Sequence, residues 1–404
     1  MVRLSIIIAA LAIIIALPEP GTIPGPLVRT NLQTPNTTDL DEPLYTRRTI
    51  GFPCSGVRCE AWLYLPKAAG AKKPPLVIIG HGMGGQRDTG LHKYSTYFAD
   101  AGLAVFTFDY RTFGGSDGEP RHWVSPGRHI EDWRAAVDFV TGQGSDPAAR
   151  DPHQQALLDA VDSDRIVLWG TSFGGGHALS IAPSLGPRIK AVIAQVPHLN
   201  ATSATLQSVK SRGIPKSLRM LLLGLKDKAR HALGLPPVYV PLAGPPGSMA
   251  LMQLIEEDWT HYTATRPKQP QGGWRNMACA RLSAELTLKK YSPIKFIGDI
   301  EAPVLLVAST QDQLCPFDQV QAAVRLAKRG SLISRDVSHF HLTSAKHLPS
   351  LMREQVAWLM EQLGLQEGGG AADRGAVHAR AEHTAKAAAE ASEGEAGAGE
   401  AVTE

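Results

Sequence analysis

The chain has 404 residues, 43% of them hydrophobic and 20% charged, which is enough to bury one large core or two smaller ones. Its 41 basic and 38 acidic residues leave a net charge of +3, which argues against a nucleic-acid partner, since such proteins are usually strongly basic. Four cysteines are too few for a disulfide-built scaffold, and none of their spacings is that of a zinc site.

The N-terminus has the pattern of a targeting segment. Arg3 precedes residues 4–17, a run almost without polar side chains. As a helix this run would be about 21 Å long, shorter than the roughly 30 Å hydrocarbon core of a membrane. We therefore interpret residues 1–20 as a signal peptide or an uncleaved membrane anchor, and a start without a targeting role is the third interpretation. The first two predict a secreted or membrane-anchored protein, with any membrane association made through this segment.

Two further segments lack the pattern of a packed fold. Residues 21–43 are rich in Pro, Thr and Asn and are predicted to be a linker. Residues 366–404 are almost entirely Gly, Ala, Glu, His and Arg. Such a segment buries too little apolar surface to offset the entropy lost on ordering, so a disordered tail is predicted.

Strand and helix patterns alternate over most of the remaining chain, which is typical of a mostly parallel sheet covered by helices on both faces. Short apolar or alternating runs predict strands at residues 49–53, 60–65, 75–80, 104–109, 165–170, 190–196, 303–308 and 331–335. Helices are predicted at residues 91–101, 128–140, 172–182, 316–327 and 348–363. The fold class is therefore α/β.

The alternation stops at residues 197–291, which we predict to be an inserted cap. The core is then made of residues 44–196 and 292–365. Within the cap, residues 214–233 are basic and amphipathic. They are interpreted as a cap helix with a solvated basic face, and binding to a membrane surface is the alternative.

Cys54 and Cys59 flank a predicted hairpin turn and could face each other across it. In an oxidising compartment they could form a local disulfide. Two unpaired thiols are the other interpretation, and the sequence leaves both open.

Ser172 is the residue with the strongest chemical signal. It lies between a predicted strand and a predicted helix, with Gly170 and Gly174 two residues away on either side. Small residues there allow strand and helix to approach around a sharp turn that exposes the hydroxyl, which is the pattern of a nucleophile elbow. The alternative, an ordinary serine in a glycine-rich turn, does not account for the strand before it and the helix after it.

A serine nucleophile needs donors for the oxyanion that forms during attack. The loop His81-Gly82-Met83-Gly84-Gly85 follows the strand at residues 75–80. We predict the backbone N–H groups of Met83 and Phe173 as the two donors. His81 is then a residue that orders the loop.

The acid and the base are expected after the serine, in the order Asp, His. Asp312 follows the predicted strand at residues 303–308 and is the predicted acid, with Asp318 as its rival. His339 lies between the last strand and the last helix and is the predicted base, with His341 as its rival. Neither metal nor organic cofactor is required.

Several motifs together resemble the α/β-hydrolase superfamily. They are Ala61-Trp62-Leu63-Tyr64-Leu65-Pro66, His81-Gly82, Phe108-Asp109-Tyr110-Arg111-Thr112-Phe113-Gly114-Gly115-Ser116, the elbow, and Ser338-His339-Phe340. The branch it resembles contains serine aminopeptidases, X-Pro dipeptidyl-peptidase-like enzymes and esterases, and often has Gly-His-Phe-Asp at the base. Here Ser338 precedes the histidine and His341 replaces the aspartate. Arg111 and Ser116 are interpreted as scaffold residues.

These patterns predict a serine hydrolase that cleaves an ester, thioester or amide of a small-molecule acyl substrate through an acyl-enzyme. An acyltransferase with the same triad is the alternative, and a non-catalytic binding protein on the same fold is a third hypothesis. The sequence does not identify the substrate, because the cap would determine it, nor the oligomeric state.

Overall fold

The computed structural model describes residues 15–17, 39–67, 72–143, 150–265 and 274–365. The predictions for the start of the targeting segment and for the tail concern residues 1–14 and 366–404, which lie outside this range. The chain divides into two compact units, Met1–Val356 and Ala357–Glu404. Of the second unit, the described part is the end of one helix and the three residues after it.

The described residues form thirteen strands: β1 (Leu40–Asp41), β2 (Tyr45–Cys54), β3 (Val57–Pro66), β4 (Pro75–Gly80), β5 (Ala104–Phe108), β6 (Asp162–Thr171), β7 (Ile189–Gln195), β8 (Tyr239–Pro241), β9 (Ala243–Gly244), β10 (Met252–Gln253), β11 (Met277–Cys279), β12 (Val304–Ser309) and β13 (Gly330–Arg335). They also form ten α-helices: α1 (His92–Asp100), α2 (Pro126–Thr141), α3 (Pro152–Ala160), α4 (Phe173–Ile181), α5 (Ala201–Arg212), α6 (Ile214–Ala232), α7 (Glu256–Ala264), α8 (Arg281–Lys289), α9 (Phe317–Leu326) and α10 (Leu348–Gln362).

Nine strands make the central sheet, in the order β1-β2-β3-β5-β4-β6-β7-β12-β13. The pairs from β1 to β5 are antiparallel, and all pairs from β5 to β13 are parallel. The prediction of an α/β fold with a mostly parallel sheet flanked by helices is confirmed. Parallel strands bring their carboxyl ends to one edge, so the loops after β4, β6, β12 and β13 lie on the same side of the sheet.

The inner strands are continuous apolar runs because helices cover both of their faces. Every residue of β4, β5 and β12 is buried. At the edge of the sheet, β13 instead alternates between exposed and half-buried residues. The core therefore lies around the strands whose carboxyl ends carry the predicted site.

Three features of the first half differ from the prediction. β2 and β3 are ten residues each and pair along their whole length, from Tyr45 opposite Pro66 to Cys54 opposite Val57. Residues 40 and 41, which were predicted to belong to the linker, pair with β2, and the part of that linker up to residue 38 lies outside the described residues. Helix α3 was not predicted, although Asp151 accepts a hydrogen bond from the His153 N–H at 2.7 Å and so caps it.

The hairpin cysteines are buried free thiols in this structure. Cys54 Sγ donates to Asp132 Oδ1 at 3.1 Å, and the sulfur of Cys59 lies within 4.8 Å of these atoms. The two thiols thus lie side by side in the core below the sheet's antiparallel edge.

The predicted cap contains α5 to α8 and the four short strands β8 to β11. A buried ion pair joins α6 to the start of α8: Arg281 Nε donates to Asp227 Oδ2 at 2.7 Å. Asp227 also accepts from the backbone N–H of Arg281 at 2.9 Å and of Val238 at 2.8 Å. The Asp227 carboxylate therefore connects three segments of the cap, namely α6, the segment at Val238 and the start of α8.

The exposed face of α6, which was predicted to be basic, carries apolar side chains as well as basic ones. Met220, Leu223 and Asp227 point inward, while Ile214 and Leu222 are exposed to solvent together with basic residues. Within the described part of the chain, no helix combines the length and the apolar character needed to span a membrane.

We expect Asp227→Asn to destabilise the protein by about 3–5 kcal/mol, because the Arg281 guanidinium would remain buried without a compensating charge. Urea unfolding followed by circular dichroism measures this. Asp159→Asn, the same change at an exposed position of α3, is the control and should stay within about 0.5 kcal/mol. Equal midpoints for the two variants would contradict the role given to Asp227.

Candidate active site

Ser172 occupies a sharp turn between β6, which ends at Thr171, and α4, which begins at Phe173. Its backbone has φ 55° and ψ −119°, a conformation that favours glycine and costs other residues about 1–3 kcal/mol. Backbone hydrogen bonds hold it there: the Ser172 N–H donates to Gln195 O at 2.8 Å, and its carbonyl accepts from the His198 N–H at 3.0 Å.

The two flanking glycines are required by close backbone contacts. A Cβ at Gly170 would lie 2.2 Å from the Gly174 carbonyl oxygen, and one at Gly174 would lie 2.5 Å from the carbonyl oxygens of Gly80 and His81. No side chain fits at these distances. The sequence pattern that singled out Ser172 therefore reflects the closest approach of β6, α4 and the loop after β4.

Asp312 and His339 are joined directly. His339 Nδ1 lies 2.6 Å from Asp312 Oδ2, and because a carboxylate only accepts, Nδ1 carries the proton. The other carboxylate oxygen of Asp312 accepts from the N–H groups of Leu314 and Cys315, both at 2.8 Å. Asp312 is thus fixed by its own loop and in turn fixes the imidazole ring.

The rivals of these two residues lie elsewhere. Asp318 is exposed in the first turn of α9. His341 Nδ1 lies 3.3 Å from Glu257 Oε1, and its ring faces that of His261 at 5.3 Å. His339, in contrast, lines a cavity together with Ser172. The structure brings Ser172, Asp312 and His339 to one place and leaves Asp318 and His341 outside it.

The charge of Asp312 controls the basicity of His339. Burial is the largest single influence and lowers the pKa of this histidine, but the Asp312 carboxylate and Cys315 together raise it by more, so that the pKa lies well above its usual value of 6.5. A neutral imidazole held in this way can take a proton from a nearby hydroxyl, and the carboxylate stabilises the imidazolium that results.

The loop after β4 lies against the elbow. A Cβ at Gly82 would be 3.2 Å from Ser172 Cβ. No hydrogen bond to the backbone N–H of Met83 or Phe173 is found among the described residues. His81 Nδ1 donates to Gly82 O at 2.9 Å, and burial lowers the pKa of His81 to about 3. His81 is therefore a neutral residue that orders the loop.

Two cavities meet at Ser172. The first, which we call the cap cavity, has about 1060 Å³ of empty space, partly open to solvent, and reaches from Ser172 and Phe173 beneath α5, α6 and α8. The second, which we call the base cavity, has about 860 Å³ and contains His339 and the loop after β4. Met83 and Met252 line both. A bond placed at Ser172 would thus have room for a group on each side.

Cys315 is a site residue that the sequence analysis missed. It is buried, lines the cap cavity together with Ser172, and its sulfur lies within 4.8 Å of ligand atoms of Asp312 and His339. Burial is the main reason why the pKa of this thiol is raised, so it is a neutral group. In the sequence, the only sign that Cys315 belongs to the site was its position three residues after Asp312.

Asp258, on α7, is the second residue that was missed. Its Oδ1 accepts from Ser338 Oγ at 2.7 Å and from the Phe340 N–H at 2.9 Å. Both neighbours of His339 are therefore held by one carboxylate of the cap. The serine that replaces the glycine common in the resembled branch has a role here, since it supplies one of these bonds.

Two groups of described side chains have the composition of a metal site. Asp312, Cys315 and His339 offer ligand atoms within 4.8 Å of one another, and so do Cys54, Cys59 and Asp132. In the first group the carboxylate and the imidazole are hydrogen-bonded to each other, and in the second Cys54 is hydrogen-bonded to Asp132. The side chains of both groups therefore make hydrogen bonds to one another within the protein.

Comparisons with known proteins agree with the fold. A sequence model of the α/β hydrolase fold matches residues 75–351. The chain is 31% identical over 310 residues to the quorum-quenching protein AidA of Acinetobacter baumannii (strain MDR-ZJ06), covering 77% of this chain and 93% of AidA. It is 25% identical over 326 residues to polyketide transferase claH of Penicillium crustosum, covering 77% and 95%.

Among solved structures, the α/β hydrolase GrgF from Penicillium sp. sh18 is similar with a TM-score of 0.61 and 21% identity. The match covers 79% of this chain and 99% of GrgF. At this identity the likeness shows the fold alone.

The strained backbone at Ser172 predicts that Ser172→Gly is more stable than Ser172→Ala by about 1 kcal/mol, because glycine accepts a positive φ without strain. Urea unfolding of the two variants measures the difference. At Ser208, inside α5, the same pair should give the opposite sign, with glycine less stable by about 1 kcal/mol. The same order at both positions would show that the turn is unstrained.

Proposed function

The chain belongs to the α/β-hydrolase fold family, and we propose that it is a serine hydrolase that cleaves a carboxylic ester, thioester or amide through an acyl-enzyme. The observation that carries the proposal is the 2.6 Å bond between His339 and Asp312 in a site that also presents Ser172 on a strained turn. This combination supplies a nucleophile, a base and a group that orients the base.

In the proposed reaction, Ser172 Oγ attacks the substrate carbonyl while His339 Nε2 takes its proton. The tetrahedral oxyanion is stabilised by the backbone N–H groups of Met83 and Phe173, which lie on either side of the elbow. His339 then gives the proton to the leaving group, and Ser172 keeps the acyl group. A water molecule, activated by His339, releases the acid.

The two cavities suggest where the parts of the substrate bind. The leaving group must receive its proton from His339, which lines the base cavity and not the cap cavity. We therefore assign the leaving group to the base cavity and the acyl group to the cap cavity. On this assignment the cap helices determine which acyl groups are accepted.

Acyl transfer is a second candidate function. The base cavity offers about 860 Å³ in which an alcohol or amine could replace water as the acceptor. A relative named as a polyketide transferase supports this candidate. The two functions are distinguished by adding hexanol to an ester assay, since a transferase forms hexyl ester while a hydrolase continues to form free acid.

A substrate panel should contain p-nitrophenyl esters, an acyl thioester and aminoacyl-nitroanilides. An N-acyl homoserine lactone, whose ring contains a carboxylic ester, is added because one relative is a quorum-quenching protein. Turnover of the nitroanilides alone would favour the peptidase-like branch that the sequence resembles.

We expect a fluorophosphonate probe to label the protein at Ser172, with labelling lost in Ser172→Ala and slowed about 100-fold or more in His339→Ala, because the base activates the hydroxyl. In-gel fluorescence measures both. His341→Ala is the matched control and should be labelled at the rate of the unchanged protein. Persistent labelling of Ser172→Ala would exclude Ser172 as the nucleophile.

The raised pKa of His339 predicts the pH dependence. Only the neutral imidazole accepts a proton, so kcat/KM should rise with pH through the pKa of His339, and the midpoint of this rise should lie above pH 6.5. In Asp312→Asn there is no carboxylate to oppose the lowering of the His339 pKa by burial. The midpoint should then move below pH 6.5, and kcat should fall by roughly 10³–10⁴-fold.

Asp318→Asn removes a carboxylate from the start of α9 and is the control for this titration. Its profile should match that of the unchanged protein. A midpoint that stays in place in Asp312→Asn would show that another group controls the rate.

A further inference from the structure

The cap cavity has an unusual charge balance. Of the described side chains that line it, Arg212 alone carries a permanent charge, and neither Asp nor Glu is among them. The other polar lining residues are neutral hydroxyls and amides, with Cys315 and His198. Burial lowers the pKa of His198 to about 4, so its ring is neutral as well.

Arg212 is buried, with 9% of its surface exposed, at the last residue of α5. Its Nη2 donates to the carbonyl oxygens of Ala250 at 2.6 Å and Leu251 at 3.2 Å. Its Nε is buried without a hydrogen-bond partner among the described residues. Burial alone accounts for a lowered pKa of this guanidinium, since no described charged group acts on it.

Among the other buried arginines, Arg121 and Arg230 also donate to backbone carbonyl oxygens, but neither lines the cap cavity, and others have carboxylate partners. Arg281 pairs with Asp227, as described above, and Arg87 pairs with Glu60. Taking a guanidinium out of water costs several kcal/mol unless an anion compensates it. Arg212 has two backbone carbonyls in place of a carboxylate, so its charge remains uncompensated.

The hydroxyl of Ser217 is a second polar group of this cavity without a hydrogen-bond partner among the described residues. Ser217 lines the same cavity from the first turn of α6, which begins two residues after Arg212, and its Oγ is buried without a partner among the described residues. A hydroxyl and a guanidinium N–H are both donors that suit a carboxylate. The amino-terminal turn of a helix favours an anion too.

We propose that Arg212 and Ser217 bind a carboxylate of the substrate, so that the acyl group accepted in the cap cavity carries a negative charge at its far end. The substrate class is then a monoester, thioester or monoamide of a dicarboxylic acid. This inference rests on the proposed function, because it places the acyl group of the Ser172 intermediate in the cap cavity.

The test compares two series of esters of equal chain length. One consists of mono-p-nitrophenyl esters of adipic, suberic and sebacic acid, and the other of p-nitrophenyl alkanoates with the same number of chain atoms. In at least one length we expect kcat/KM to be about tenfold or more higher for the charged ester, mostly through KM. The expected cause is the charge-assisted bond to Arg212.

Variants identify the residue responsible. Arg212→Gln should reduce the ratio of charged to neutral kcat/KM by about tenfold or more, and Arg212→Lys, which retains the charge, should reduce it less. Lys210→Gln is the matched control, since it removes one positive charge from an exposed position of the same helix and should leave the ratio unchanged. A merely structural role of Arg212 would lower both kcat/KM values and leave their ratio the same.

Binding is measured separately from turnover. Isothermal titration of Ser172→Ala with monomethyl suberate and with dimethyl suberate should show tighter binding of the charged compound, and the difference should disappear in Ser172→Ala/Arg212→Gln. Equal affinities, or an equal ratio in Arg212→Gln and the unchanged protein, would overturn the proposal. If the charged compound binds tighter but no ester is cleaved and Ser172 is not labelled, the proposed function fails while the anion site stands.

Discussion

The close approach of three backbone segments at Ser172 is the constraint on which the site depends. The end of β6, the start of α4 and the loop after β4 meet so tightly that Gly170 and Gly174 have no space for a Cβ. The positive φ of Ser172 is held by bonds to β7 and to the segment after it. The same contact turns Ser172 into the site and places the loop of Met83 against it, so the proposed nucleophile and one proposed oxyanion donor share one cause.

Sheet topology supplies the remaining parts. β12 pairs with β7 and β13 with β12, so the loops after these strands open at the same edge as the elbow. Asp312 follows β12, and His339 follows β13, which brings them within 2.6 Å of each other. Ser172 is separated from Asp312 and His339 by more than a hundred positions along the chain. The three residues converge because the parallel strands that precede them end at the same edge of the sheet.

The cap does more than cover the site. Through Asp258 it holds both neighbours of His339, so the proposed base is positioned by the predicted cap as well as by the core. Through α5 and α6 it forms the wall of the cavity that reaches Ser172. A buried Asp227–Arg281 pair ties α6 to α8. On the proposed function, changes in the cap are therefore expected to affect both the acyl group accepted and the orientation of His339.

Apart from β1 and helix α3, the order of strands and α-helices in the core followed from the sequence by itself, as did the elbow and the candidates Asp312 and His339. These features rest on local patterns: apolar runs, glycine spacing and the position of polar residues just after strands. Tertiary structure decided the choice of His339 over His341, since only contact with Asp312 separates two histidines two residues apart. It also revealed Cys315, Asp258 and Arg212. Their roles depend on which distant segments meet in the folded chain, and no periodicity within one segment carries that information.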